Sequence, residues 1–135
     1  MPISDPYWLA AREARLLLQR CEACGMLRHY PRYLCTACGS EGFGWTEASG
    51  AATLHSWTVL HHAFDPAFAR EVPYTVVIVD LAEGPRLMAR LQQRETNDFL
   101  SHDLHIGKKM RVCISPDGVK LPFAARTRHV CTDIC

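Results

Sequence analysis

No run of apolar residues in this 135-residue chain approaches the roughly 18–20 that a bilayer-spanning helix needs, so an integral membrane protein is not expected. Met1-Pro2-Ile3-Ser4-Asp5 has no basic segment leading into an apolar stretch, the mark of a secretory signal, and the expected compartment is the cytoplasm. Excess charge is also scarce. Lys and Arg number 15 against 14 Asp and Glu, a net charge of +1, which is little for a protein that lives on nucleic-acid phosphates. His-Glu-x-x-His, a Gly-x-Ser-x-Gly elbow, a phosphate-binding Walker loop and a dinucleotide fingerprint are all missing, so no familiar catalytic constellation is visible. What remains is an ordinary globular composition, 48% apolar and 21% charged, sized for one domain or two very small ones packed together.

Cysteine is what the chain has in plenty. Seven is an odd count, and without an export signal clustered thiols point to metal more than to disulfides. Four fall into Cys21-Glu22-Ala23-Cys24-Gly25 and Cys35-Thr36-Ala37-Cys38-Gly39, the one internal repeat. A two-residue gap lets both sulfurs of a pair meet one ion across a tight turn. The glycine that follows can take the left-handed backbone ending such a turn, and backbone N–H groups in it can donate to the sulfurs. Two turns facing each other make a zinc ribbon with Cys21, Cys24, Cys35 and Cys38 as ligands. Iron, two disulfides or unrelated thiols are the competing readings. Four cysteines leave no ligand place for water, so Zn2+ here is expected to be structural. Cys113 reads as an inert core thiol, and Cys131 and Cys135 as exposed thiols, a redox pair or a weak second metal site.

Around this cluster the expected fold is mainly β. Residues 4–14 predict a short helix with Asp5 as N-cap and Pro6 at the first helical position. Residues 16–21 read as a strand leading into the cysteines, with continuation of the helix as the alternative, and Leu27–Leu34 suggests two short strands around Pro31. Strands are then expected at Ala52–His61, Pro73–Leu81, Arg86–Gln92, Met110–Ser115 and Val119–Ala124, with turns at Glu83-Gly84-Pro85 and Asp117-Gly118. Residues 94–105 read as a loop with a helical turn at Phe99-Leu100. Five short antiparallel strands suggest a small Greek-key barrel of the OB type, with a sandwich or an SH3-like barrel as alternatives. The expected organisation is a helical segment at 1–19, a ribbon at 20–45, a barrel at 46–126 and a tail at 127–135.

The remaining polar groups offer weaker signals. Seven histidines read as solvated or partly buried. Residues 107–135 carry six basic side chains against two acidic ones, a place for a small anion or for the acidic middle of the chain. OB folds that hold single strands stack bases on aromatics of their second and third strands. Here residues 73–81 supply Tyr74 alone and residues 86–92 supply none, which argues against nucleic acid.

The order of these motifs resembles a known family. Gln19-Arg20-Cys21-x-x-Cys24-Gly25, Tyr30-Pro31-Arg32, Cys35-x-x-Cys38-x-Ser40, Trp45 and Ser49-Gly50 follow one another, then Pro73-Tyr74, Val79-Asp80-Leu81-x-Glu83-Gly84-Pro85-Arg86-Leu87-Met88, Ile106-Gly107 and Leu121-Pro122-Phe123. The set resembles the zinc-ribbon/OB-fold acyl-CoA-associated proteins from about residue 6 to residue 125. It departs at Tyr30, where many members have a second proline, and in the tail cysteines. The resemblance implies a short helix, a rubredoxin-like zinc ribbon and an OB barrel. It implies a non-catalytic accessory subunit in a hetero-oligomer with a thiolase-superfamily enzyme (thiolase, acyltransferase or aldolase) acting on acyl-CoA thioesters, and in some members a share in holding CoA. No catalytic residue carries over. Arg86, Lys108 and Lys109 are the candidates for CoA phosphates. Lys120, Arg111, Arg126 and Arg128 share the basic end, and Tyr7, Trp8, Phe64 and Phe68 lie where a docking patch or a core is equally expected. A free-standing acyl-CoA binder and a single-stranded nucleic-acid module are the alternatives.

Overall fold

The computed structural model describes residues 3–70, 72–91, 104–114 and 129–131. Helix α1 spans Asp5–Arg12. Ser4 occupies the cap position without a side-chain hydrogen bond. Asp5 instead sits in the first turn, where its charge favours the positive end of the helix. The helix stops before residue 14 because Ala14 turns left-handed, with φ 59°. Its N–H bonds Ala11 O while Arg15 N–H bonds Ala10 O, a C-terminal cap pattern that glycine usually makes. Tyr7, Ala10 and Ala11 face inward.

Strands β1 (Leu17–Cys21), β2 (Leu27–Arg28) and β3 (Phe43–Glu47) form an antiparallel sheet in the order β2-β1-β3. Only one strand forms between Leu27 and Leu34, where two were expected. Pro31 has no N–H to give, and the N–H of Arg32 goes to the Gln19 side chain instead of a ladder. Strand β3 runs through the expected 45/46 boundary and pairs along the whole of β1, so the ribbon sheet reaches Glu47.

Strands β4 (Ala51–Leu60), β5 (Tyr74–Leu81), β6 (Arg86–Leu91), β7 (Lys109–Cys113) and β8 (His129–Cys131) close a barrel in the order β4-β5-β6-β8-β7. All pairs are antiparallel except β6 with β8. This Greek-key path is that of an OB fold. In β5, burial alternates strictly, with Thr75, Val77, Val79 and Leu81 inside. Strand β4 follows this rule as far as Leu54 and then slips register across His55, a bulge that redirects its outer half. The expected tail needs correction, because residues 129–131 are a barrel strand. The expected strand Val119–Ala124, its preceding turn and the helical turn at Phe99-Leu100 lie outside the described residues.

One apolar core joins the two parts. Tyr7, Ala11, Leu16 and Leu18 pack into the same cluster as Leu54, Val77, Val79, Leu87 and Val112. The junction carries two of the sequence motifs. Ser49 N–H and Oγ both donate to Glu83 Oε1 at 2.9 Å, tying Ser49-Gly50 to the Glu83-Gly84-Pro85 turn 34 residues on. Burial alone would raise the Glu83 carboxyl, but the Ser49 N–H, the N–H of Glu83 itself and the Ser49 hydroxyl together outweigh it and hold the group below its ordinary value. A depressed carboxyl stabilises the fold above its unfolded pKa of about 4.3, and the contribution is lost as pH falls through the folded value. Ser49→Ala should therefore lower stability by about 1 kcal/mol at pH 7. Urea titrations should show that difference shrinking in acid once Glu83 is protonated.

Candidate metal centre

Each cysteine pair sits on a turn built the same way. Cys21 N–H bonds Met26 O at 2.9 Å, and Gly25 N–H bonds Cys21 O at 3.0 Å. In the second turn Cys35 N–H bonds Ser40 O at 2.9 Å, and Gly39 N–H bonds Cys35 O at 2.8 Å. Gly25 and Gly39 adopt φ of 74° and 75°, the left-handed exit for which the sequence placed glycine there. The antiparallel pairing of β1 with β3 and the Met26–Thr36 contact bring the turns face to face.

The four sulfurs lie within 4.8 Å of one another. Cys21 Sγ is 3.6 Å from Cys38 Sγ, and Cys24 Sγ is 3.6 Å from Cys35 Sγ. A tetrahedral zinc with Zn–S of 2.3 Å requires sulfurs about 3.8 Å apart, so the spacing fits the ion. Cys21 and Cys35 are buried while Cys24 and Cys38 reach the surface. All four are free thiols in the structure, not disulfides.

The electrostatics point the same way. N–H groups of Cys24 and Ala23 aim at Cys21 Sγ and bring that thiol down to about 6. N–H groups of Cys38 and Ala37 do the same for Cys35, lowering it. At Cys38 the N–H of Ser40 favours the thiolate, but the sulfurs of Cys21, Cys24 and Cys35 and the loss of solvent outweigh it, leaving the thiol at about 11. The surroundings thus favour the thiolate at Cys21 and Cys35 and oppose it at Cys38. A divalent cation removes that conflict, because it takes every sulfur as thiolate. Four protein ligands complete the tetrahedron, so the zinc that fits is structural.

Other expected site residues scatter. Arg86 Nε donates to Asp80 Oδ1 at 2.7 Å, and that guanidinium holds the Asp80 carboxyl below its usual range. Pairing register puts Arg86, Asp80, Thr53 and Lys109 in one row across β6, β5, β4 and β7. Asp80 and Thr53 stand between Arg86 and Lys109 in that row, so the Asp80 carboxylate neighbours Arg86. Lys109 is exposed and Lys108 is half-buried. Cys113 alternates with buried Met110 and Val112 and is half-buried, not a core thiol. Tyr7 belongs to the core and Trp8 packs against it, whereas Phe64 is exposed. His61, His62 and His105 are exposed, and the His29 ring lies between those of Tyr7 and Tyr30, tilted to both. Lys120, Arg126, Arg128 and Cys135 lie outside the described residues.

One polar cluster escaped the sequence reading. Gln19 is fully buried on β1 opposite Arg28, itself buried on β2. Gln19 Oε1 accepts from Arg28 Nε and, at 2.8 Å, from Arg32 N–H, while Arg28 Nη2 donates to Arg32 O at 3.1 Å. Its only trace in the sequence is a glutamine at an inward position of a strand.

Comparison with known proteins gives the following. Residues 8–44 match the rubredoxin-like zinc ribbon domain of ChsH2, and residues 45–115 match the C-terminal OB-fold domain of ChsH2. A probable enoyl-CoA hydratase alpha subunit of Thermomonospora curvata is 45% identical over 88 residues, 64% of this chain. The chain spans only 27% of that relative. A DUF35 domain-containing scaffold protein of Pyrococcus furiosus is 32% identical over 94 residues, covering 69% of this chain and 68% of that one. The structure of an Ltp2-ChsH2(DUF35) aldolase superposes with a TM-score of 0.74 at 31% identity, over 98% of this chain and 95% of the other. A DUF35-family protein of unknown function from Sulfolobus solfataricus shares the fold, with a TM-score of 0.65 at 14% identity, over 98% and 86% of the two chains.

Proposed function

We propose, from the premise that this chain belongs to the ChsH2 (DUF35) family of zinc-ribbon and OB-fold proteins, that it is a non-catalytic accessory subunit. It docks on a thiolase-superfamily enzyme that acts on acyl-CoA thioesters. Cys21, Cys24, Cys35 and Cys38 hold a structural zinc that shapes the docking part, and the partner supplies the reacting groups. The observation that carries this reading is the likeness, over almost the whole of both chains, to a chain of the two-component Ltp2-ChsH2(DUF35) aldolase. The Pyrococcus relative is described as a scaffold protein, which agrees. The closed four-sulfur set supports a structural use of the metal.

The nucleic-acid alternative finds little support. On the outer side of β5 and β6, Val76, Ile78 and Met88 offer no stacking surface, and Arg90 already covers the Tyr74 ring at 4.4 Å. Contact with CoA phosphates is the finer part of the proposal. Lys109, exposed and outside any ion pair among the described residues, is better placed for it than Arg86.

The test is reconstitution. The chain, tagged in its native host, should bring down a thiolase-superfamily subunit. The chain alone should turn over no thioester, the isolated partner should be impaired, and mixing should restore the rate. Full activity of the partner alone, or turnover by this chain unaided, would contradict the proposal. Micromolar acyl-CoA binding without a partner, seen by calorimetry, would favour a free-standing carrier.

A further inference from the structure

Resting on the subunit reading above, we infer that the loop Tyr30–Leu34 is a pre-organised docking tip. Its occupant is a carboxylate-rimmed apolar cleft on the catalytic partner. Tyr30, Tyr33 and Leu34 are 53%, 67% and 54% exposed. Single exposed apolar side chains are ordinary. Three large ones within five residues of one loop make a compact set of anchors, with exposed Arg32 among them.

The loop is held from beneath. Gln19 takes the N–H of Arg32 and Arg28 donates to its C=O, so both backbone polar groups of the central residue are fixed by buried side chains. At one end the Tyr30 ring packs against His29 at a 39° tilt, with centroids 4.1 Å apart, and His29 lies 5.7 Å from core residue Tyr7. At the other end Leu34 runs into Cys35, whose N–H closes the second metal turn. A buried guanidinium without a carboxylate partner among the described residues is an expensive way to hold a loop. What it secures is anchors that need not be ordered at the moment of binding, and pre-ordering of this kind raises affinity.

Chemistry selects the occupant. Tyrosine and arginine are the residues that dominate binding energy at protein interfaces, where they fill desolvated pockets. Arg32 makes no ion pair among the described residues, so the receiving surface should bring a carboxylate to it. Leu34 would add nothing to a stack of bases, and the net charge of +1 is small for a nucleic-acid tip. A protein cleft satisfies all four side chains.

The probe is the purified thiolase-superfamily subunit that co-purifies with the tagged chain. Tyr33→Ala and Leu34→Ser should each weaken binding to it at least about 30-fold, and Arg32→Glu should weaken it further at low salt. Zinc content and melting temperature should stay at the wild-type values, since these side chains face solvent. Met88→Ser, on the outer face of β6, should leave affinity within about threefold. If the wild type binds the subunit and the loop variants bind equally well, the docking tip is wrong while the subunit reading stands. If the wild type captures no such subunit, both fail. Loop variants that change the chain's own oligomeric state, or that abolish retention on a single-stranded oligonucleotide, would overturn the proposed occupant.

Discussion

Zinc removal is expected to dismantle the N-terminal half of the protein. Strands β1, β2 and β3 are short, and β2 has only two residues. A sheet of this size cannot bury enough apolar surface to stand alone. Zinc held by four thiolates contributes about 10–16 kcal/mol in small metal-dependent folds, as much as the whole stability of a typical domain. Cys35→Ser, at a sulfur that is almost fully buried, should reduce bound zinc from one ion per chain to nearly none. The near-ultraviolet circular dichroism of Trp45, on β3, should be lost with it. Loss should spread, because Leu16 and Leu18 lead into the ribbon and also cap the barrel core. The barrel should survive only with a lowered unfolding midpoint. A metal-free chain that keeps the native spectrum would refute a structural role for the site.

Gly50→Ala should be the most damaging single-methyl change at the junction, lowering stability by about 2–4 kcal/mol. Gly50 has φ 85°, a conformation that costs an L residue about 1–2 kcal/mol. A Cβ there would also stand 2.8 Å from Val112 O, a backbone atom that cannot swing aside. Val112 N–H bonds Gly50 O at 2.8 Å, so relief of the clash would break a bond joining β7 to the chain entering β4. Gly39→Ala is the control. Its φ is 75°, but nothing lies within 4 Å of the added carbon, so only the backbone penalty of about 1 kcal/mol applies. Equal urea midpoints for the two variants would remove the steric part of this account.

The ribbon was legible because its cause is local. Cys-x-x-Cys-Gly, written twice, encodes a turn, a left-handed exit and two sulfurs without help from distant residues. The barrel strands with clean alternation were legible for a similar reason, as in Thr75 to Leu81. The tail reading failed at residues 129–131 because His129-Val130-Cys131 is too short to show a period. It becomes a strand only by lying between β6 and β7. Gln19 and Arg28 were invisible as a pair, since each looks like a surface residue until β1 and β2 set them side by side. Arg86 looked free for a phosphate because Asp80 sits six positions away, across a turn whose register the sequence does not state.

The parallel pairing of β6 with β8 bears on how this chain matures on the ribosome. Sulfur ligands, helix and ribbon strands have all emerged before β4 is complete, so the metal can be captured early. The cylinder must wait, its third and fourth staves unsealed, until His129 to Cys131 are translated. A nascent polypeptide stalled or clipped ahead of that point would carry a finished metal knot on an open β-sheet, the kind of intermediate that chaperones hold and proteases destroy.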